Sequence, residues 1–155
     1  RGCVMAKRWH GIPTTYRGIK FRSRLEATWA AYFDLRNDNT TWQYEPVDFP
    51  GWIPDFSVQI PHFPGPSLAE VKPIYTIESF FASPDSPKMG KALLANVPLA
   101  KNFYALLLLG VSPGHVWLML NYGCGGRWHK LSPPDEGLQK CWAEASNIAQ
   151  WKAPR

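Results

Sequence analysis

Two acids and a lysine near the middle of the chain could together bind a divalent metal ion. Asp55 lies in one short alternating segment, Glu70 and Lys72 lie two residues apart in the next, and residues 61–66 form a loop between the segments. Alternation on both sides of a short loop predicts two antiparallel strands. Neighbouring side chains on one face of such a pair lie within about 7–8 Å of each other even on the diagonal. Two carboxylates at that spacing can share Mg²⁺, which prefers oxygen ligands.

The register of this strand pair decides which side chains meet. Pairing Ile60 with Ser67 across the loop places Asp55 opposite Lys72, with Glu70 one pair further along the same face. The other face is then expected to be apolar. Two carboxylates about 4 Å apart repel by about 4 kcal/mol at an effective dielectric near 20, so a cation must compensate them. The simpler alternative is an exposed hairpin with an ordinary surface ion pair between Asp55 and Lys72.

Helix caps, prolines and glycines divide the rest of the chain into short elements. Ser23 is a good helix N-cap, and Pro84 and Pro87 are expected to break a later helix. The predicted helices cover residues 23–37, 75–96 and 137–151, and the predicted strands cover 41–45, 53–60, 68–72, 102–109, 115–122 and, at an edge, 127–131. This order predicts an α/β fold with a mixed central sheet flanked by helices.

Composition indicates one compact domain. The chain has 155 residues, of which 45% are hydrophobic and 19% charged, enough for a single core. The longest apolar run, residues 103–111, is about half of what a membrane span requires, so no membrane association is expected. The three cysteines are too few for a disulfide scaffold, which favours a reducing, cytoplasmic location.

The positive charge is concentrated at the start of the chain. Seven Lys and Arg residues and no acid precede Glu26, and the whole chain carries +5. We therefore divide the chain into a basic arm, residues 1–22, and a single domain, residues 23–155. Such an arm is typical of nucleic-acid binding, because phosphate contacts dominate non-specific affinity, although a solubilising tail would have the same charge. The candidate phosphate-binding residues are Arg17, Lys20, Arg22, Arg24, Lys88 and Lys91.

Several short motifs together resemble one enzyme superfamily. They are Phe21-Arg22-Ser23-Arg24-Leu25-Glu26-Ala27, Tyr44-Glu45-Pro46, Ile53-Pro54-Asp55-Phe56 and Glu70-Val71-Lys72-Pro73. In this order they resemble the PD-(D/E)XK nucleases, and most of all the small phage and mobile-element nucleases that are similar to transposon-end nucleases and Holliday-junction resolvases. The resemblance implies a restriction-endonuclease-like αβββαβ core, here followed by extra C-terminal strands and a helix. It also implies that the natural chain runs further than Arg155.

The resemblance assigns roles to individual residues. Asp55 and Glu70 would hold Mg²⁺ or Mn²⁺, with the backbone carbonyl of Val71 as a further ligand. Lys72 would position or deprotonate the attacking water and stabilise charge on the phosphate. Glu26 would complete the metal shell or hold a second ion. The implied activity is metal-dependent endonucleolytic hydrolysis of DNA.

Glu26 also has a purely structural interpretation. It lies three residues after Ser23, which is the capping-box position. Against this, it begins the stripe that continues with Trp29 and Phe33 and should face the sheet. Glu45 is expected to have a supporting role.

A second function fits the same residues: a nucleic-acid-binding module of this fold that no longer cuts and acts as a partner or inhibitor subunit. Duplex, branched and single-stranded DNA, and RNA, are all compatible with the pattern. Nucleases of this fold often cut both strands as dimers, so a homodimer is also expected.

Overall fold

The chain folds around one six-stranded mixed sheet. The computed structural model describes residues 11–120, 122 and 126–150. The helices are α1 (Arg24–Leu35), α2 (Ile77–Phe81), α3 (Asp85–Ala95), α4 (Val97–Ala100) and α5 (Glu136–Ile148). The strands are β1 (Thr14–Tyr16), β2 (Ile19–Phe21), β3 (Thr41–Tyr44), β4 (Phe56–Gln59), β5 (Ser67–Val71), β6 (Leu106–Leu109), β7 (Val116–Met119) and β8 (Trp128–Lys130).

The strands follow one another across the main sheet in chain order, from β3 to β8. All neighbours are antiparallel except β5 and β6, which are parallel and are joined by the helices α2 to α4. A parallel pair requires such a crossover. The predicted mixed α/β sheet flanked by helices is confirmed, and so is the helix–three strands–helix–strand order of its first part.

Helix α1 begins where the sequence indicates. The Ser23 side chain accepts a hydrogen bond from the Glu26 backbone N–H at 3.1 Å, which satisfies one of the free donors of the first turn. The indole of Trp29 donates to the carbonyl of Gly110 at 3.0 Å. Gly110 follows β6, and a side chain there would come within 2.6 Å of the Ile74 carbonyl. Helix α1 is thus tied to the end of β6.

Both faces of the sheet are covered by apolar cores, which differs from the expectation of one apolar and one charged face. On one side, Phe56, Val58 and Ala69 pack against α1 and α5. On the other side, Leu68 and Leu108 join a second cluster, which contains the α3 residues Met89, Ala92 and Leu93. The charges are confined to one end of the strand pair because helices bury both faces of its middle.

A hairpin precedes α1 that the sequence analysis did not predict. Strands β1 and β2 pair through a two-residue turn, in which Arg17 and Gly18 both have positive φ. Such a turn suits the twist of a hairpin, but Arg-Gly lacks the Asn or Asp that usually marks it. Phe21 of β2 is fully buried and packs against Tyr44 with the two rings tilted and 4.5 Å between the ring centroids. The part of the expected basic arm from Thr14 onward is therefore packed on the domain, whereas residues 1–10 lie outside the described residues.

Pro87 was expected to break its helix, but α3 continues through it. It is the third residue of α3, where the backbone N–H has no partner within the helix. In the part of the chain that the structure covers, no helix is long and apolar enough to cross a membrane.

The burial of Phe21 predicts that the hairpin contributes to global stability. Phe21→Ala should lower the free energy of unfolding by about 3–5 kcal/mol, because it removes a large buried ring. Lys20→Ala, at the exposed neighbouring position, is the control and should change it by less than about 0.5 kcal/mol. Urea denaturation measures both. If Phe21→Ala lowers the free energy of unfolding as little as Lys20→Ala does, the hairpin is dispensable for stability.

Candidate metal and phosphate site

The acids meet at the end of the β4–β5 pair, in a register two residues away from the predicted one. Phe56 pairs with Ala69, so the same register carried one residue further places Asp55 beside Glu70. The predicted pairing of Asp55 with Lys72 is therefore wrong. A shift of two residues keeps every side chain on its face, so the predicted grouping of the two acids and the lysine survives the error.

Asp55 is almost completely enclosed, at 3% exposure. Its Oδ2 accepts a hydrogen bond from the backbone N–H of Val71, and its Oδ1 accepts one from the guanidinium of Arg22, both at 2.8 Å. Burial, followed by the negative charges of Glu70 and Glu26, raises the pKa of Asp55 well above its usual value. Asp55 is thus firmly held in position but poorly compensated in charge, which is a property of sites that bind cations.

Glu70 is held from two sides. Its Oε2 accepts a hydrogen bond from the indole N–H of Trp52 at 2.9 Å, and its Oε1 lies 3.2 Å from Nζ of Lys72. Burial raises the pKa of Glu70 even though both of these neighbours favour its charged form. The carboxylates of Asp55 and Glu70 therefore both have a raised pKa.

Lys72 is a firmly protonated ammonium. Its Nζ lies 2.8 Å from a carboxylate oxygen of Asp85, at the start of α3, and also contacts Glu70. Burial alone would lower the pKa of Lys72, but the negative charges of Glu70 and Asp85 outweigh it and raise the pKa above its ordinary value. This direction favours Lys72 as a residue that positions water and stabilises charge. It disfavours the role of a base that deprotonates water.

Glu26 agrees in part with both of its interpretations, as a helix-capping residue and as an acid that faces the site. Its backbone N–H makes the cap bond to Ser23, while its buried carboxylate accepts a hydrogen bond from the Tyr44 hydroxyl at 2.6 Å. That hydroxyl also accepts a bond from the backbone N–H of Arg22 at 3.3 Å. Burial and the bond to Glu26 raise the pKa of Tyr44, so Tyr44 remains a donor. Glu26 faces the site but is engaged by Tyr44.

The residues that could hold a metal ion are Asp55, Glu70 and the carbonyl of Val71. The Val71 N–H points towards Asp55, and a strand residue directs its N–H and C=O to the same side, so its carbonyl is directed to the same edge of β5. Within residues 11–120, 122 and 126–150, no three His, Cys, Asp or Glu side chains are grouped closely enough to hold an ion by themselves. Mg²⁺ is commonly held by one or two carboxylates together with water, so two underneutralised carboxylates fit it.

The six predicted phosphate-binding residues fall into separate groups. Arg22 is part of the site itself and also contacts Glu45 at 3.2 Å. Arg17 instead pairs with Asp34 at 3.1 Å. Asp34 lies eight residues after Glu26 on α1, about 12 Å along the helix axis, so Arg17 is away from the site. The other four are exposed, and Lys88 lies one turn beyond Asp85 on α3. These four are Lys20, Arg24, Lys88 and Lys91.

Three partners of the site were not identified as functional from the sequence. Tyr44 belongs to the Tyr-Glu-Pro motif, which indicates no contact with Glu26, and no motif in the sequence includes Trp52 or Asp85. Trp52 lies in a turn where its backbone pairs with Phe49, and only the fold brings it to Glu70. Asp85 carries the ordinary signal of an acid in the first turn of a helix, which does not indicate a contact with Lys72.

Comparisons with known proteins give no further assignment. No protein family, curated protein or solved structure matches this chain.

The raised pKa of Asp55 predicts how stability depends on pH in the absence of metal. An aspartate in the unfolded chain titrates near pH 3.9, and native Asp55 keeps its proton to higher pH. Above about pH 4 the native state thus binds more protons than the unfolded state, so this group destabilises the fold as pH rises. Asp55→Asn should lose less stability than the unsubstituted protein between about pH 4 and pH 8.

Urea midpoints measured in EDTA across this pH range would test the prediction. Asp48→Asn, at an exposed acid, serves as the matched control and should follow the unsubstituted protein. A steeper loss of stability in Asp55→Asn would contradict the assigned direction.

Proposed function

We propose that the protein is a metal-dependent endonuclease that hydrolyses DNA phosphodiester bonds with an activated water. The observation that carries this proposal is the pair of buried carboxylates, Asp55 and Glu70. Both have a raised pKa, and the ammonium of Lys72 lies beside one of them. The restriction-endonuclease-like order of motifs supports the same activity.

Each residue has a role that its contacts allow. Mg²⁺ or Mn²⁺, when bound, would supply a hydroxide near neutral pH and offset the charge that develops on phosphorus. Asp55 and Glu70 would hold the ion in a fixed orientation, since Val71 and Trp52 each restrain one oxygen. Lys72 would orient the water and stabilise the phosphate charge, because it remains protonated.

Charge distribution supports DNA as the substrate. The chain carries +5, and Lys20, Arg24, Lys88 and Lys91 are exposed, available for phosphate contacts that need no base specificity.

Cys141, the one cysteine among the described residues, is a free thiol, which agrees with a cytoplasmic location. A homodimer would place two such sites on the two strands of a duplex.

A non-cleaving nucleic-acid-binding module is the second candidate, and one observation favours it. The guanidinium of Arg22 contacts Asp55 and the ammonium of Lys72 contacts Glu70, so protein cations already occupy one oxygen of each acid. In such a module these ion pairs would be permanent.

Incubation with DNA separates the two functions. Supercoiled, linear, branched and single-stranded DNA, and RNA, should each be tested with Mn²⁺ and again with EDTA. A product that forms with Mn²⁺ and disappears with EDTA supports the nuclease. Binding of these substrates without any metal-dependent product supports the module.

Glu70→Gln should lower the cleavage rate by at least about 100-fold, because it removes a charged ligand where the ion must sit. DNA affinity should remain or increase, since a negative charge near the phosphate is lost. Glu78→Gln, at an exposed acid of α2, should cleave normally. Cleavage assays and filter binding measure the two effects, and a Glu70→Gln variant that cuts at the original rate would refute the assignment.

A further inference from the structure

Arg22 occupies the oxygen of Asp55 that an incoming metal ion would need. The Oδ2 atom of Asp55 is engaged by the Val71 backbone, which leaves Oδ1, and Nη2 of Arg22 lies 2.8 Å from Oδ1. A dication and a guanidinium on one carboxylate oxygen repel each other strongly in a buried environment. Metal binding at Asp55 and the Arg22 contact therefore oppose each other.

Arg22 also has a second carboxylate to which it can retreat. The same Nη2 atom lies 3.2 Å from Glu45, whose side chain is 38% exposed, whereas that of Asp55 is only 4% exposed. The Glu45 backbone N–H donates to the Asp55 carbonyl at 2.8 Å, so the two acids are held next to each other. The Arg22 side chain is itself 58% exposed, so it has room to move outward.

We propose that Arg22 acts as an exchangeable counter-ion for Asp55. Without metal it pairs with the buried carboxylate; when a divalent cation binds, the guanidinium leaves Asp55, keeps its contact with Glu45 and turns towards solvent. Arg22 is then a positioning residue that sets the metal affinity of the site. This inference rests on the proposed metal-dependent function.

Mn²⁺ titrations by calorimetry, without nucleic acid, test the proposal directly. Arg22→Gln should bind Mn²⁺ about fivefold or more tightly than the unsubstituted protein, a typical size for coupling between two ligands of one site. The matched control is Arg24→Gln, which removes the same charge two residues away; that arginine is exposed and donates to the Ser146 carbonyl. Arg24→Gln should change the affinity by less than about twofold.

Glu45→Gln should act in the opposite direction. It removes the second partner of Arg22, so the guanidinium should hold Asp55 more firmly and Mn²⁺ should bind more weakly. In the Arg22→Gln background the same substitution should have a much smaller effect, because the contact through which it acts is gone. Equal effects of Glu45→Gln in both backgrounds would overturn the exchange.

Thermal unfolding shows whether each variant folds and provides a second readout. Arg22→Gln should unfold at a lower temperature in EDTA, since Asp55 loses its partner, and should gain more from Mn²⁺ than the unsubstituted protein does. If it does not fold, Arg22→Lys keeps the charge with fewer donors and should bind Mn²⁺ with intermediate affinity.

The results separate the inference from the proposed function. If the unsubstituted protein binds Mn²⁺ and Arg22→Gln binds no more tightly, the exchange is wrong and the metal site stands. If Mn²⁺ binds only to Arg22→Gln, the exchange is supported and the unsubstituted protein is the non-cleaving module. If neither binds Mn²⁺, both proposals are wrong.

Discussion

Burial of like charges at one end of a strand pair sets the requirements that the surrounding structure has to meet. Glu26, Asp55 and Glu70 are 8%, 3% and 7% exposed, and a carboxylate removed from water is costly unless donors replace its hydration. The donors come from separate parts of the chain. They are Arg22 before α1, Tyr44 of β3, Trp52 of the following turn, Val71 of β5 and Lys72 just after β5. The loss of any one of them removes a donor from a buried acid, so these segments are fixed relative to one another by polar contacts as well as by apolar packing.

The two cores position these donors. Phe21 packs against Tyr44 and Phe56 on one face of the sheet, which holds the segment that carries Arg22. On the other face, Trp52 stacks on Phe49, with 5.6 Å between the ring centroids, in the cluster that also contains Leu68. Hydrophobic burial on both faces thus positions polar groups at the end of the sheet. The backbone pairing of β4 with β5 ends at Phe56 and Ala69, and the Val71 N–H donates to the Asp55 side chain instead.

The sequence predicted the acids of the site and the face that they share, because side-chain alternation survives a register error of two residues. It could not predict Trp52 and Asp85 as partners of Glu70 and Lys72. Trp52 and Asp85 are distant from Glu70 and Lys72 along the chain, and their contacts depend on how a turn and α3 pack on the sheet. The hairpin before α1 was missed for a local reason, since Arg17 adopts a positive φ that arginine rarely adopts. The charges of this segment suggested an arm, while its apolar residue Phe21 determined its place in the core.

The pattern of ion pairs leaves the site net negative, although each buried acid of the strand pair has a basic partner. The inner acids Asp55 and Glu70 are each met by a base, and each of these bases is also held by an outer acid, Glu45 for Arg22 and Asp85 for Lys72. Counted together, these four acids face two bases, so the arrangement remains net negative. A divalent cation at the inner acids would reduce this negative charge, and a base displaced from its inner acid would keep its outer partner. The outer acids lie on other elements than the inner ones: Glu45 follows β3 and Asp85 begins α3. The excess of negative charge therefore arises because these two segments pack around the end of the sheet.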